Sequence, residues 1–408
     1  MEATTSHIAN VAILNEKFKR ETWYNTFWSK FAGFVDISQD ENGNRKLTPS
    51  GKPIEILNSF IAEGRDNMLI PFLMQLTGDP VYGDTVLKGT GEAQSLKWLR
   101  VYVNQWRKAV EAKSGSMSDQ RLKIYKLYEK AKPQLIQWFS KWENQMVFQT
   151  FYEGASGNVT AGTDYDGIGL VKRYHPNWYM NDGGTLTAVG GTEKTNKTTD
   201  NLDDATGDCD TGITTGLLEQ LRIKAMELKI PQMMTKNGNP YWVMIIHPKQ
   251  AKALRADEEY KDALREAYSA AKDTPELMGT IGYYAGFMIF EDIVGIRSWD
   301  DTDSTLAKDG WLALPDGGSD SNYNAIVVGD SAIGKGIAEN LHFTEEIDDH
   351  NNVKEIGGAL INGYNRADFA EDGSDEEAIF LKSEESGGVA AATSVINQSS
   401  LILMTKEE

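Results

Sequence analysis

The sequence MSDQRLKIYKLYEKAKPQLIQWFSKWENQMVFQTFYE, residues 117–153, predicts one very long helix and decides the fold. Ser118 is a suitable N-cap, and Gly154 is a suitable stop. A helix of roughly 36 residues would be about 54 Å long at a rise of ~1.5 Å per residue. Because that length exceeds a small domain, we expect this helix to act as a strut. Its apolar residues recur at spacings of three and four, which places on one stripe Leu135, Trp138, Phe139, Trp142 and Met146.

Pro133 lies inside this pattern and leaves two alternatives open. Proline lacks a backbone N–H, and its ring clashes with the preceding turn, so it bends a helix or ends it. The strut therefore either bends at this residue or divides into two helices after Lys132. An ordinary core helix, or two of them, would also account for the apolar stripe.

The composition excludes several classes of protein. The chain has 408 residues, enough for two or three domains, and its net charge is −19. This charge argues against tight binding to DNA, because affinity for a polyanion comes from cations that displace counterions. No run of 18 apolar residues is present to span a membrane. The single Cys209 rules out an internal disulfide, and residues 1–20 lack a secretory pattern, so we expect assembly in a reducing cytoplasm.

An aromatic segment near the start of the chain needs a surface to cover it. Trp23, Phe27 and Phe31 share one helical face, and Trp28 lies beside it. Such a dense aromatic stripe on a short segment must be buried. It packs either on its own chain or on a neighbouring copy, and the pattern favours neither. We assign residues 1–77 to an arm rather than a domain.

A basic segment follows at residues 78–115. Residues 98–103 alternate as a strand does, and the glycines at 89–91 favour a hairpin. The charges either cover a solvated face of this hairpin or dock on an acidic surface. The basic residues that we single out are Lys88, Lys97, Arg100, Arg107 and Lys108.

The rest of the chain predicts helices and strands separated by polar loops. Loops are predicted at 298–323 and 370–388, and a loop that can include short strands is predicted at 155–214. Helices are predicted at 217–228, from Pro248 onward and at 334–340. Strands are predicted at 241–246, 282–291, 324–328, 342–369 and 401–404.

Three motifs suggest enzymatic or metal chemistry, and each has a plainer interpretation. Residues 329–336, GDSAIGKG, nearly match a phosphate-binding loop, but Gly336 stands where a magnesium-binding hydroxyl is required. Ser331 would need a histidine base, and no sequence spacing ties any of the five histidines to it. The acidic loop at 200–210 lacks the ligand order of a calcium loop. We therefore predict no catalytic, cofactor-binding or metal site.

Several stretches taken together resemble the tailed-phage major capsid proteins, in the branch of the HK97-like fold named after the capsid protein of coliphage N4. The resemblance covers residues 78–369 in order and spacing. Besides the hairpin and the long helix, the stretches that carry it are WVMIIHPKQAKALRADEEYKDAL, MGTIGYYAGFMIFEDIVGI and AIVVGDSAIGKGIAENLHFTEEIDDHNNVKEIGGALINGYNRADF.

This resemblance implies an α+β, HK97-like fold and a division of the chain. The spine helix and peripheral domain would occupy 116–214, and the axial domain 215–345. Residues 1–77 would be the N-terminal arm, 78–115 an extended loop over a neighbouring subunit, and 346–408 the return strands and C-terminal segment.

The resemblance also implies a function and partners. The chain would be a non-enzymatic major capsid protein, assembled in the host bacterial cytoplasm into the icosahedral shell of a bacteriophage virion. Its partners would be copies of itself in hexamers and pentamers, a portal, scaffold or decoration proteins, and double-stranded DNA without sequence-specific contact. The alternatives are a nanocompartment shell enclosing enzymes and a nucleotide-binding enzyme using Gly329–Gly336. Candidates for contacts between subunits are Trp23, Phe27, Trp28, Phe31, Lys88, Lys97, Arg100, Arg107 and Lys108.

Overall fold

The computed structural model describes residues 27–39, 45–48, 50–57, 67–73, 96–112, 127–154, 175–189, 209, 211–235, 238–263, 282–292, 298–299, 322–348, 353–370, 395–397 and 399–406. Its helices are a short 3₁₀ helix at Phe27–Phe31, α1 at Leu127–Glu153, α2 at Thr215–Glu227 and α3 at Pro248–Ala256. Its strands are β1 (Ala32–Phe34), β2 (Asp36–Gln39), β3 (Arg45–Thr48), β4 (Ile54–Leu57), β5 (Asn67–Leu73), β6 (Leu96–Tyr102), β7 (Asn104–Ala112), β8 (Trp178–Asp182), β9 (Thr185–Ala188), β10 (Met233–Met234), β11 (Pro240–Ile246), β12 (Gly282–Tyr284), β13 (Phe287–Glu291), β14 (Ser298–Trp299), β15 (Asn322–Val328), β16 (Ile333–Asp348), β17 (Val353–Arg366), β18 (Asp368–Ala370), β19 (Val395–Asn397) and β20 (Ser400–Lys406).

The long helix α1 is continuous over 27 residues, about 40 Å at ~1.5 Å per residue. Pro133 lies inside it with its ring exposed, so the chain is not divided after Lys132. Solvent can bond the carbonyl that loses its N–H partner at this exposed position. The helix stops where predicted, because Gly154 has a φ of 88° and donates its N–H to the Thr150 carbonyl at 2.9 Å. The predicted start at Ser118 lies outside the described residues.

A nine-stranded sheet forms the larger core. Its main path is β12-β13-β11-β15-β20-β8-β9, with β10 paired to β11 and β14 to β15. Val243 and Ile245 of β11 lie in one hydrophobic cluster, whereas Trp242, Met244 and Ile246 lie in another. Residues of α2 and α3 join the second cluster, and residues of α1 join the first. Because both faces of the strand are covered, it is apolar at successive positions.

Most predictions for this sheet are confirmed. The strands expected at 241–246, 324–328 and 401–404 correspond to β11, β15 and β20. The segment 282–291, predicted as one strand, is instead a hairpin of β12 and β13. Ala285 and Gly286 reverse the chain with φ values of 51° and 87°. Two positive φ values form the two-residue turn whose twist suits antiparallel strands.

The second large sheet has five strands in the order β1-β4-β16-β17-β7. The prediction of a helix at 334–340 is wrong, because β16 runs through these residues. It pairs in parallel with β4 on one side and antiparallel with β17 on the other. Hydrogen bonds to two strands that are distant in sequence outweigh the local helix preference. The β16–β17 hairpin packs on α1, where Leu135 and Phe139 share a cluster with Phe343 and Leu360.

Gly363 lets β17 pass close to the junction of β6 and β7. A Cβ atom at this position would overlap the Tyr102 carbonyl oxygen and lie 3.1 Å from the Val103 Cα. A side chain there requires the backbone to shift, so the close approach depends on glycine.

Strand pairing departs from the boundaries that the resemblance implies. β5 pairs antiparallel with β6, so the first strand of this pair lies before residue 78, in the segment assigned to the arm. The predicted turn at 89–91 lies outside the described residues. β8, β9 and β20 belong to the nine-stranded sheet, whereas β16 belongs to the other sheet from residue 333.

Candidate assembly surface

β7 forms an edge of the five-stranded sheet beside α1. It pairs with β17 on one side, and no described strand pairs with its other side. Arg107 and Lys108 are exposed on this strand, opposite Ala359 and Gly358 of β17. Because successive side chains of a strand point to opposite faces, the two cations leave the sheet on different faces. The edge therefore presents backbone hydrogen-bonding groups and positive charge together.

Three tryptophans connect this edge to α1. The ring of Trp106 lies 4.5 Å from that of Trp142, and its indole N–H donates to the Asn362 carbonyl at 3.4 Å. Trp142 in turn stacks on Trp138 at 6.3 Å, and the Lys108 ammonium lies 5.5 Å over the Trp138 ring. Trp138 is 38% exposed. An exposed indole beside a lysine suits a protein partner, since aromatic residues are enriched where proteins meet.

The aromatic segment at the start of the chain packs on its own subunit. Trp28 is 0% exposed, and its ring lies 5.2 Å from the rings of both Phe148 and Phe151 of α1. Phe31 is buried, with its ring 5.2 Å from that of Phe290 in β13. Trp28 and Phe31 therefore pack on their own chain rather than on a neighbouring copy. We therefore do not carry these two residues forward as contacts between subunits.

The other contact candidates have different positions. Phe27 is partly buried against the same core. Trp23 and Lys88 lie outside the described residues. The backbone of Lys97 and Arg100 lies in β6, and their side chains are outside the described part of the structure. Arg107 and Lys108 are thus the exposed basic candidates among the described side chains.

Residues 329–336 form no phosphate-binding loop. The N–H groups of residues 329–332 donate to carbonyl oxygens at residues 399, 231, 52 and 53, at distances between 2.8 and 3.1 Å. Lys335 would have to reach the phosphates, yet it is 3% exposed and its ammonium contacts the Glu143 carboxylate at 3.1 Å. A strand rather than a helix follows the loop. The hypothesis of a nucleotide site at Gly329–Gly336 is therefore wrong.

The Ser331 hydroxyl contacts two carboxylates rather than the histidine base that the hydrolase hypothesis requires. Its hydroxyl lies 3.2 Å from a carboxylate oxygen of Glu55 and 3.1 Å from one of Asp330. Burial raises the pKa of both carboxyl groups. His175, the histidine that does lie beside a serine, hydrogen-bonds to Ser400 at 2.9 Å. The Ser331 cluster connects β4 to the turn before β16, which is a structural role.

A buried polar cluster that was not predicted from the sequence lies beneath α1. The Oε1 atom of Glu143 in α1 receives hydrogen bonds from Lys335 at 3.1 Å, Asn362 at 3.3 Å and Tyr364 at 3.4 Å. Burial lowers the pKa of Lys335 and raises that of Tyr364 well above its usual value. A signal was present, because Glu143 follows Phe139 by four residues and so lies on the apolar stripe of the helix.

Comparison with known proteins decides the family. A family model described as phage capsid protein matches residues 23–383, which is most of the chain. The chain belongs to the phage capsid protein family. Among curated proteins, none matches this capsid protein.

Solved capsid structures share the fold of this capsid protein at low sequence identity. The capsid of Ralstonia phage GP4 is 15% identical, with a TM-score of 0.60 over 94% of this chain and 91% of that one. The head structure of Helicobacter pylori bacteriophage KHP40 is 11% identical, with a TM-score of 0.57 over 94% and 91%. The capsid of cyanophage Pam1 is 15% identical, with a TM-score of 0.52 over 88% and 89%. The predicted α+β, HK97-like fold is confirmed.

The family also decides between the functions considered from the sequence. The protein is a structural, non-enzymatic major capsid protein of a bacteriophage virion, and it self-assembles into the capsid shell. The nanocompartment alternative is not favoured. None of the described helices is long and apolar enough to cross a membrane. In the described part of the chain, no group of three or more histidine, cysteine or acidic residues is arranged to hold a metal ion.

Proposed function

We propose that copies of this capsid protein meet as hexamers and pentamers through the edge strand β7 and close an icosahedral shell around double-stranded DNA. The observation that carries the proposal is the exposed edge of β7, where Lys108 lies over Trp138 on one face of the sheet and Arg107 is exposed on the other face. A shell repeats the same heterologous contact many times, so each contact can be modest. A cationic edge suits an acidic neighbour, and a chain with a net charge of −19 supplies acidic surface.

The two sheets would form different parts of the capsid subunit. The five-stranded sheet, with β7 at its edge, and the spine helix α1 would form the peripheral part. The rest of the segment 78–115 would extend from it over a neighbouring subunit. The nine-stranded sheet, which contains most strands of the region 215–345, would form the axial part that meets its copies around the symmetry axes. The segments 1–77 and 346–408 would serve as arm and return strands.

The packaged DNA would be enclosed without sequence-specific contact. A chain with a net charge of −19 has little net attraction for a polyanion, so the genome would stay free to move during packaging and release. A portal and scaffold or decoration proteins would complete the shell in the host bacterial cytoplasm. Nucleic acid as the content of purified particles agrees with this proposal, whereas an enzyme cargo would favour the nanocompartment.

The docking role is tested by the double variant Arg107→Glu, Lys108→Glu. Reversing both charges should abolish particles in negative-stain microscopy and light scattering, while circular dichroism shows a folded subunit. The matched variant Lys249→Glu, Lys252→Glu changes two exposed lysines on α3 and alters the net charge equally. Normal particles from the β7 variant would remove this strand from the proposed contact.

The exposed indole is tested separately by Trp138→Ala. Because this side chain keeps 38% of its surface in solvent, we expect a folded subunit with a lower yield of particles. An unchanged yield at several salt concentrations would show that the indole face takes no part in assembly.

A further inference from the structure

The polar cluster between α1 and the β16–β17 hairpin brings together the groups that an amide-forming reaction needs. Lys335 supplies an amine, Asn362 supplies a side-chain amide, and Glu143 supplies a carboxyl group between them. The amine nitrogen and the amide nitrogen contact the same Glu143 oxygen, at 3.1 and 3.3 Å. We propose that Lys335 and Asn362 become joined by an amide bond within one subunit, with Glu143 as the catalytic acid and base.

The strand register places the two reacting side chains on one face. Lys335 lies opposite Tyr364 in the antiparallel pairing of β16 with β17, and Asn362 lies opposite Ile337. Residues two apart in a strand share a face, so Lys335 and Asn362 are diagonal neighbours. Diagonal neighbours are about 7–8 Å apart in the backbone, a distance that a lysine side chain spans. Glu143 approaches this face from the helix.

The surroundings exclude water from the reacting groups. Lys335 and Asn362 are each 3% exposed, and the Tyr364 ring lies 5.1 Å from the Lys335 ammonium. Phe139 and Val147, one helical turn to either side of Glu143, are fully buried. Burial also lowers the pKa of Lys335, which favours the neutral, nucleophilic form of its amine. A dry site protects the amide that forms from hydrolysis.

The side-chain amide of Asn362 has hydrogen-bonding capacity that its surroundings do not use. Its Oδ1 atom is buried and has no hydrogen-bond partner among the residues that the structure describes. An ordinary buried ion pair between Lys335 and Glu143 gives this oxygen nothing to accept. The orientation of an amide group is assigned from its hydrogen bonds, and a half-turn about the terminal bond brings Oδ1 to Glu143. A protonated Glu143 then donates to that oxygen and polarises the carbon that the amine attacks.

The reaction balances without an oxidant, a metal or a cofactor. Lys335 first passes its proton to Glu143, which leaves a neutral amine beside a carboxylic acid. The amine nitrogen attacks Cγ of Asn362, and the C–N bond to the original amide nitrogen breaks once that nitrogen has received a proton through Glu143. Ammonia leaves, and it takes up in solution the proton that Lys335 first gave. One carbon–nitrogen bond replaces another, so the subunit loses the mass of one ammonia molecule.

This bond would link β16 covalently to β17 within one subunit, so it is distinct from any contact between subunits. Its loss would leave the proposed β7 contact available. A shell that assembles from subunits of full mass would therefore overturn the bond without touching the proposed function, and a failed β7 experiment would leave the bond standing.

Intact-mass spectrometry of the full chain, denatured after purification from assembled particles, tests the proposal. We expect a mass lower than that of the sequence by one ammonia, and a branched tryptic peptide that joins residues 309–354 to residues 355–366. Wild-type protein of full sequence mass without the branched peptide would overturn the proposal.

Three variants separate the roles of the residues. Lys335→Arg and Glu143→Gln should both keep the full mass, the first because it lacks the nucleophile and the second because it lacks the acid. Lys249→Arg, at an exposed lysine of α3, should still lose ammonia as the wild type does. Circular dichroism establishes that each variant is folded, and a folded Glu143→Gln variant that still forms the bond would contradict the role of Glu143.

Discussion

Replacing Trp28 by alanine tests whether the N-terminal aromatic segment stabilises its own subunit. The side chain is fully buried between the rings of Phe148 and Phe151, each 5.2 Å away. Burying the roughly 250 Å² of a tryptophan at ~25 cal/mol per Å² corresponds to about 6 kcal/mol as an upper bound. Because a core relaxes partly around a cavity, we expect the free energy of unfolding to fall by about 3–5 kcal/mol.

Urea unfolding of unassembled subunits, followed by circular dichroism, measures this loss. Trp28→Phe is the matched control: the indole N–H has no hydrogen-bond partner within the described part of the chain, so phenylalanine loses little besides volume and should cost about 1 kcal/mol. Phe34→Ala, at a side chain that is 61% exposed, should change the free energy by less than about 0.5 kcal/mol. A Trp28→Ala subunit as stable as the wild type, but unable to assemble, would refute packing on the same chain.

Further predictions concern a close backbone approach and the response to pH. Gly363→Ala should lower the free energy of unfolding by at least about 1–3 kcal/mol, because its Cβ would overlap the Tyr102 carbonyl. Gly216→Ala in α2, where a Cβ meets nothing within 4 Å, should raise it by about 0.5–1 kcal/mol, and equal urea midpoints for the two variants would contradict both. Burial holds the pKa of His175 well below its usual range. Below about pH 6.5 the unfolded chain therefore binds a proton at this histidine that the folded chain does not bind, and the free energy of unfolding decreases as the pH is lowered. Melting temperatures between pH 7.5 and 5 should show this loss, and His175→Gln should flatten it. Burial raises the pKa of Glu55, so the folded chain binds this proton more readily than the unfolded chain, and lowering the pH stabilises the fold through this group. Glu55→Gln removes that gain and should make the loss of stability at low pH steeper. A shallower loss would contradict the raised pKa of Glu55.

The elements that periodicity predicts are those whose partners cover them uniformly. The stripe on α1 and the apolar run in β11 are visible in the sequence because a whole face, or both faces, lie in a core. The capsid fold itself is implied by the resemblance of several stretches, in their order and spacing, to the tailed-phage major capsid proteins. Periodicity did not predict the strand at residues 334–340, because the strands that pair with it, β4 and β17, are distant in sequence.

The candidate assembly surface was predictable only as a concentration of charge. Arg107 and Lys108 stood out as basic residues in an acidic chain, but their position on an edge strand depends on the pairing of β7 with β17. Trp28 was undecided, because an aromatic stripe does not specify which copy covers it. The near match of residues 329–336 to a phosphate loop gave no indication of where Lys335 points, since the direction of this side chain follows from the alternation of β16.

The position of β20 inside the nine-stranded sheet sets an order of events during synthesis. This strand lies between β15 and β8 and pairs with both, so among the described strands it alone links β8 and β9 to the rest of the sheet. At roughly 5–20 residues per second, the ribosome adds β20 on the order of ten to forty seconds after β8. Until then, the edges of β15 and β8 that β20 will pair with stay unpaired. A nascent chain therefore cannot complete its nine-stranded sheet before β20 is synthesised, and only after that can the subunit join a growing shell.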